Sequence, residues 1–266
     1  MCELLGISVS PAAELGLWFK AFAPRAEHNA HGWGVGWYEH GEARLVKEPS
    51  RADQSERAAT LAADPPTSDV FVVHVRAATI GDLTEQNTHP FRARLAGRDW
   101  LFAHNGTVND LDQFPVGKYR REGQTDSEVA FHFLLARLER LGRRATDAEV
   151  TADLFTGARA LSAHGRANFL LSDGRTLWAY YDGHKTLHYM TRRSGDIGTV
   201  RAEDTDYRIA LAVPDAADER AVIVASVPIS EQDPWMPLKP GEMLVCRDGL
   251  LLDHLVAPGA PTRAAS

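Results

Sequence analysis

The chain has 266 residues, 44% of them hydrophobic and 24% charged, which suits a soluble globular fold of one large or two small domains. A net charge of −7 with no basic run argues against nucleic acid and anionic membrane as partners, and no apolar stretch approaches the about 18 residues of a membrane span. Only two cysteines occur, Cys2 and Cys246, with no C-x-x-C spacing; a disulfide framework and a thiolate zinc site are thereby disfavoured, and without a signal-peptide pattern a cytoplasmic protein is expected.

In chain order, Cys2 to Ser8 reads as a short apolar strand. Ser10-Pro11 has the form of an N-cap and first-turn proline, predicting a helix through Leu15, Trp18, Phe19 and Phe22. After a polar loop, residues 24–31, the segment GWGVGWYE alternates Trp33, Val35 and Trp37 with Gly32, Gly34 and Gly36. A strand face of three glycines requires something to approach its backbone closely, either a second sheet or a ligand. His40-Gly41 predicts a turn into a strand over Ala43 to Lys47, and Asp53 to Ala63 a helix. Phe71 to Val75 has the β-branched content of a buried strand. Residues 81–98 read as a polar loop and Trp100 to Ala103 as a short strand. Thr125-Asp126-Ser127-Glu128 has the pattern of a capping box ahead of a stripe of Val129, Phe133, Leu134, Leu138 and Leu141. A second helix is predicted over Asp147 to Ser162.

The remainder reads as strands. Asp-Gly pairs at 173–174 and 182–183 predict successive hairpins. Later strands fall at Ile209 to Val213, Ala221 to Ala225 and Glu242 to Cys246, and the Asp-Gly at 248–249 leads into Leu250 to Leu252. Residues 2–257 are expected to form the domain and 258–266 a disordered tail. Strands, then helices, then strands again point to an α+β fold with two antiparallel sheets face to face and helices outside.

Four motifs carry chemistry. If Met1 is removed, Cys2 holds a thiol and a free α-amine on one residue, a nucleophile with its own base, and the ordinary amine pKa of about 7.7–8.0 suits that work. Arg76 emerges from a buried strand and needs an anion: either a carboxylate of the protein or, through its planar fork, one on a substrate. Asn105-Gly106 is either a turn or a pair of donors to an oxyanion, the amide of Asn105 and the backbone N–H of Gly106. Asp126 either caps a helix or accepts a substrate ammonium. His74 and His104 are expected to orient these motifs by hydrogen bonding, and Cys246 to act as a small buried hydrophobe. His28, His31, His184 and His188 lack the companions of a metal site, so no metal and no cofactor is expected.

A nucleophilic thiol, a carboxylate-binding arginine, an oxyanion hole and an ammonium-binding aspartate together fit an α-amino acid with a side-chain amide. Met1-Cys2, HVRAAT at 74–79, HNG at 104–106, TDSE at 125–128, Gly32-Trp33-Gly34 and NTHPF at 87–91 occur in an order and spacing that resembles the class II glutamine amidotransferases. Within that family the stand-alone branch is the most similar. The resemblance implies a four-layer αββα sandwich of the N-terminal-nucleophile (Ntn) hydrolase type, with Cys2 as nucleophile and Asn105 and Gly106 as oxyanion hole. It further implies that Arg76 with Thr79 binds the substrate carboxylate and Asp126 its ammonium. His31 departs from the family, where an acidic residue often precedes Gly-Trp-Gly. The implied substrate is glutamine or a γ-glutamyl small molecule. Three roles are compatible: the glutaminase subunit of a separately encoded synthase, a γ-glutamyl amide or peptide hydrolase with no such partner, and a non-catalytic glutamine-binding sensor.

Overall fold

The computed structural model describes residues 3–19, 31–75, 82–193, 200–203, 207–212, 218–229 and 234–257. Cys2, Arg76, Thr79, His28 and the tail 258–266 lie outside them. The described strands are β1 (Glu3–Phe19), β2 (Trp33–Glu39), β3 (Glu42–Glu48), β4 (Thr67–Val75), β5 (Phe91–Leu95), β6 (Arg98–Val108), β7 (Gly165–Ser172) and β8 (Thr176–Tyr181). They continue with β9 (His188–Arg193), β10 (Val200–Glu203), β11 (Tyr207–Ala212), β12 (Arg220–Ala225), β13 (Met236–Pro237), β14 (Glu242–Arg247) and β15 (Leu250–Val256). The α-helices are α1 (Glu56–Ala63), α2 (Asp126–Leu141) and α3 (Asp147–Ala163). Among the described residues no helix is long and apolar enough to cross a membrane.

Among the described residues every pairing is antiparallel, in two sheets. One has nine strands along the path β13-β9-β12-β1-β4-β2-β3, with β11 on β1 and β10 on β11; the other runs β15-β14-β8-β7-β6-β5. Strand alternation sorts the apolar side chains into three cores. Leu4, Val70, Val72 and Val224 from the first sheet meet Leu101, Ala103, Leu170 and Leu244 from the second. The opposite faces bury Leu5, Ile7, Phe71 and Val73 against Ala58 and Leu61 of α1. Phe102, Phe169 and Trp178 pack against Phe131, Leu135 and Leu154 of α2 and α3. The result is the expected αββα sequence of layers. Strands buried on both faces explain why so many of these segments read as continuous apolar runs.

The three-glycine face meets the second sheet and its approach loop. A Cβ on Gly34 would stand 2.2 Å from the His89 carbonyl oxygen, and one on Gly36 would stand 2.8 Å from Leu101 Cδ1. The sheets can come this close only where side chains are missing. His40 (φ 51°) and Gly41 (φ 81°) form the β2–β3 turn.

Four local expectations are corrected. Where a helix was predicted from Ser10, β1 continues as a strand to Phe19; Phe22, the end of that prediction, lies outside the described residues. Ala13 and Leu15 are buried while Glu14 is exposed, a period of two, and the proline falls where the β1–β4 register shifts between Ser8 and Ala13. The polar loop 81–98 contains β5. Asp173-Gly174 does turn β7 into β8, but Asp182-Gly183 makes no hairpin: β8 pairs with β14, and the chain crosses to the other sheet as β9. Finally, the Thr125 hydroxyl accepts the Glu128 N–H at 3.3 Å, while the Glu128 carboxylate takes the N–H groups of Glu122 and Gly123 at 2.7 and 2.8 Å. The capping box of α2 is therefore half made; α3 has a full one at Thr146 and Glu149.

Candidate active site

β6 carries Asn105-Gly106 inside a continuous strand, paired with β7 from Leu101↔Ser172 to Val108↔Gly165. The alternative of a turn is thereby removed. Asn105, 2% exposed, falls in the alternation with Leu101 and Ala103, whose side chains face the other sheet. Gly106 stands opposite Ala167, whose N–H is bound by the Asp182 carboxylate at 2.5 Å on the β8 side. In an antiparallel ladder such an outward N–H marks a non-hydrogen-bonded pair. The Gly106 N–H therefore points away from β7, along the other edge of β6. β5 has already left that edge, since its last pair is Phe91↔Phe102.

Two residues further along the same edge, the Val108 N–H donates to Asp126 Oδ2 at 2.7 Å. Same-edge N–H groups in a strand are about 7 Å apart. The Gly106 N–H and the Asp126 carboxylate thus lie along the same edge of β6. Asp126 is the first residue of α2 and only 5% exposed, so the helix N-terminus also favours its negative charge. The loop before α2 is held by Asn87, whose Oδ1 accepts the Gln124 N–H at 2.7 Å and whose Nδ2 donates to the Asp82 carbonyl at 3.0 Å.

His104 locks β6, β7 and α2 together. Its Nε2 lies 2.9 Å from the Arg166 carbonyl and its Nδ1 2.9 Å from Ser127 Oγ. A carbonyl only accepts, so Nε2 carries the proton and the Ser127 hydroxyl donates to Nδ1. Burial lowers the His104 pKa, with the nearby Asp126 charge opposing it, which keeps this neutral tautomer. Gly106 is required by the same arrangement: a Cβ there would stand 2.0 Å from the Arg166 oxygen and 2.8 Å from His104 Nε2.

The crossing from β8 to β9 supplies residues that sequence reasoning missed. Lys185 Nζ donates to Asn105 Oδ1 at 2.9 Å. Its presenting loop is pinned at several points. The Asp182 carboxylate binds the N–H groups of Ala167 and His184, and the Asp182 N–H donates to Asn168 Oδ1 at 2.9 Å. Asn168 Nδ2 donates to the His184 carbonyl, and the Tyr181 hydroxyl to the Lys185 carbonyl at 2.5 Å. The next residue, Thr186, donates through Oγ1 to the Ser226 carbonyl at 2.7 Å. Ser226 in turn exchanges hydrogen bonds with Leu4, accepting the Leu4 N–H on Oγ and donating its own N–H to the Leu4 carbonyl, both at 3.0 Å. The only sequence signal was Asp182-Gly183, which marked a loop without indicating its destination.

Cys2, Arg76 and Thr79 lie outside the described residues, but one chain neighbour of each of the first two is placed: Glu3, bonded to Cys2, is the register partner of Val75, bonded to Arg76. The other cysteine, Cys246, is fully buried, and burial pushes its thiol up to about 12. It behaves as a core side chain, as expected. Among the described residues no group of three or more His, Cys, Asp or Glu could hold a metal ion.

The family model described as "Glutamine amidotransferases class-II" matches residues 1–265. The Escherichia coli protein YafJ, named as a glutamine amidotransferase, is 33% identical over 247 residues, covering 91% of this chain and 96% of its own length. The γ-glutamyl-hercynylcysteine sulfoxide hydrolase of Mycobacterium tuberculosis is 30% identical over 198 residues, 72% of this chain and 77% of that protein. Among solved structures, a predicted glutamine amidotransferase from Pseudomonas aeruginosa superposes with a TM-score of 0.80 at 30% identity, covering 94% of this chain and 99% of that one.

Proposed function

On the premise that the chain belongs to the class II glutamine amidotransferases, we propose that it cleaves the side-chain amide of glutamine or a γ-glutamyl compound through a thioester on Cys2. The supporting observation is the convergence at one end of the two sheets. Glu3 and Val75, next in the chain to Cys2 and Arg76, are register partners there, and hydrogen bonds through Leu4, Ser226 and Thr186 lead to the residue beside Lys185, which holds Asn105.

In this mechanism, removal of Met1 frees the Cys2 α-amine, which takes the thiol proton as sulfur attacks the amide carbon. The amide oxygen becomes an oxyanion bound by the Asn105 side-chain N–H and the Gly106 backbone N–H. Deleting one such donor costs about 10²–10³ in kcat in comparable enzymes. The protonated amine passes its proton to the departing nitrogen, and ammonia or an amine leaves. Water, deprotonated by the same amine, then hydrolyses the γ-glutamyl thioester. Arg76 with Thr79 holds the substrate carboxylate, and Asp126 its ammonium.

Of the two enzyme roles, direct hydrolysis of a γ-glutamyl compound is favoured by the named activity of the mycobacterial relative. The test is a panel of glutamine, γ-glutamyl peptides and γ-glutamyl thiol compounds, with products identified by mass spectrometry on protein of confirmed N-terminus. Turnover that disappears in Cys2→Ala supports the mechanism. Binding without turnover of any member would favour a sensor.

A further inference from the structure

We infer that Lys185 is a positioning residue for the oxyanion-binding amide: its ammonium fixes the direction of the Asn105 side chain and polarises it. The inference rests on the proposed role of Asn105 and goes beyond it by naming a group that orients that side chain. The Asn105 amide turns about a terminal torsion that is broad and roughly two-fold, so the side its oxygen takes is set by the groups that face it. An amide in the exchanged orientation would present a carbonyl oxygen to the developing oxyanion, which is repulsive. Lys185 removes that possibility, because an ammonium has donors only and can face only the oxygen. With Oδ1 held 2.9 Å from Nζ, the NH₂ end of the planar amide is turned to the opposite side.

Charge adds to direction. A cation at the amide oxygen draws electron density from the nitrogen, making its N–H groups stronger donors, the cooperative effect of linked hydrogen bonds in a low-dielectric setting. The ammonium also places a positive charge behind the amide that receives the oxyanion.

The surrounding loop is built to hold this lysine still. Its backbone is left-handed, φ 61°, which is uncommon for a residue with a side chain. It is kept there by the Tyr181 hydroxyl on its carbonyl and by the Asp182–Asn168–His184 network just before it. Thr186 anchors the far side to Ser226, which is bonded to Leu4, two residues from Cys2. One short loop therefore touches both the oxyanion side of the site and the start of the nucleophile's strand. A solvated surface lysine would need none of these attachments.

The test is a double-mutant cycle on glutamine hydrolysis at saturating substrate, followed as released ammonia. Lys185→Met should lower kcat about tenfold, part of the about 10²–10³ lost on deleting a whole donor, with KM changed less than about twofold. Lys185→Arg should restore most of the rate. In an Asn105→Ala background Lys185→Met should lower kcat no further, because its effect passes through that amide. Should Lys185→Met fail to fold, Lys185→Gln, which keeps a donor without charge, enters the same cycle and should give an intermediate kcat. A wild-type kcat in Lys185→Met, or a fall that multiplies undiminished onto Asn105→Ala, overturns the inference while leaving Asn105 in place. A wild-type kcat in Asn105→Ala instead removes the oxyanion assignment itself, and the role of Lys185 with it.

Discussion

Replacing Gly106 by alanine perturbs the scaffold and the chemistry of the site together. The new Cβ would stand 2.0 Å from the Arg166 oxygen, 2.6 Å from the Arg166 carbonyl carbon and 2.8 Å from His104 Nε2. Since two of these atoms are backbone in β7, relief requires the β6–β7 pair to spread or β6 to rotate. Overpacking of this kind costs about 1–3 kcal/mol. Loss of the Arg166 acceptor would leave the buried His104 Nε2–H unsatisfied, another about 1–3 kcal/mol. A total of about 4 kcal/mol should lower the urea midpoint clearly and the Tm by on the order of 10 °C for a domain of this size. Rotation of β6 also swings the Gly106 N–H away from the oxyanion, so kcat should fall about 10²-fold in whatever protein remains folded. Gly41→Ala is the matched control. Gly41 has φ 81°, and beyond its own chain neighbours no residue comes within 4 Å of the point a methyl group would occupy, so alanine there costs about 1–2 kcal/mol of backbone strain and leaves kcat unchanged. A Gly106→Ala protein with wild-type Tm and wild-type kcat would refute the close approach of Arg166 and the role given to this N–H.

Asp126→Asn separates two roles of one side chain. The amide oxygen can still accept the Val108 N–H, so stability should change little, whereas loss of the charge facing a substrate ammonium should raise KM by about tenfold or more, the worth of a charged hydrogen bond. A stability loss with unchanged KM would leave Asp126 as a structural cap. His104 makes stability pH-dependent. Its folded pKa is lowered from 6.5 by burial, so below about 6.5 the unfolded chain binds a proton that the folded chain refuses, and stability is lost as pH falls through that window. His132 shifts in the same direction for the same reason. Urea unfolding from about pH 7.5 to 5.5 should show a shallower loss in His104→Gln than in wild type; equal slopes would exclude a buried neutral His104.

The layer order was legible in the sequence because short apolar, β-branched runs mark the strands on either side of a helical middle, and α2 and α3 carry their caps in plain view. What misled was local chemistry overruled by distant partners. Ser10-Pro11 satisfies the rules for a helix start, yet Glu14 to Phe19 pair with residues 207–212, far along the chain, and tertiary pairing prevails over a cap signal. Asn105-Gly106 has the commonest turn sequence but is held straight by β7, and its glycine serves the Arg166 carbonyl and not a bend. The candidate site was legible as a set of residue types whose members were each ambiguous alone. Lys185 was not legible at all. It belongs to no motif, and its position depends on where a crossing between two sheets happens to arrive.

A γ-glutamyl thioester on an N-terminal cysteine is detected most directly by intact-protein and peptide mass spectrometry after rapid acid quench of the enzyme turning over glutamine. The mechanism predicts an N-terminus at Cys2 and an added mass of one γ-glutamyl group on that residue, cleared by hydroxylamine, with none on Cys246. Turnover by protein that retains Met1, or steady turnover with the γ-glutamyl group found elsewhere, would contradict it.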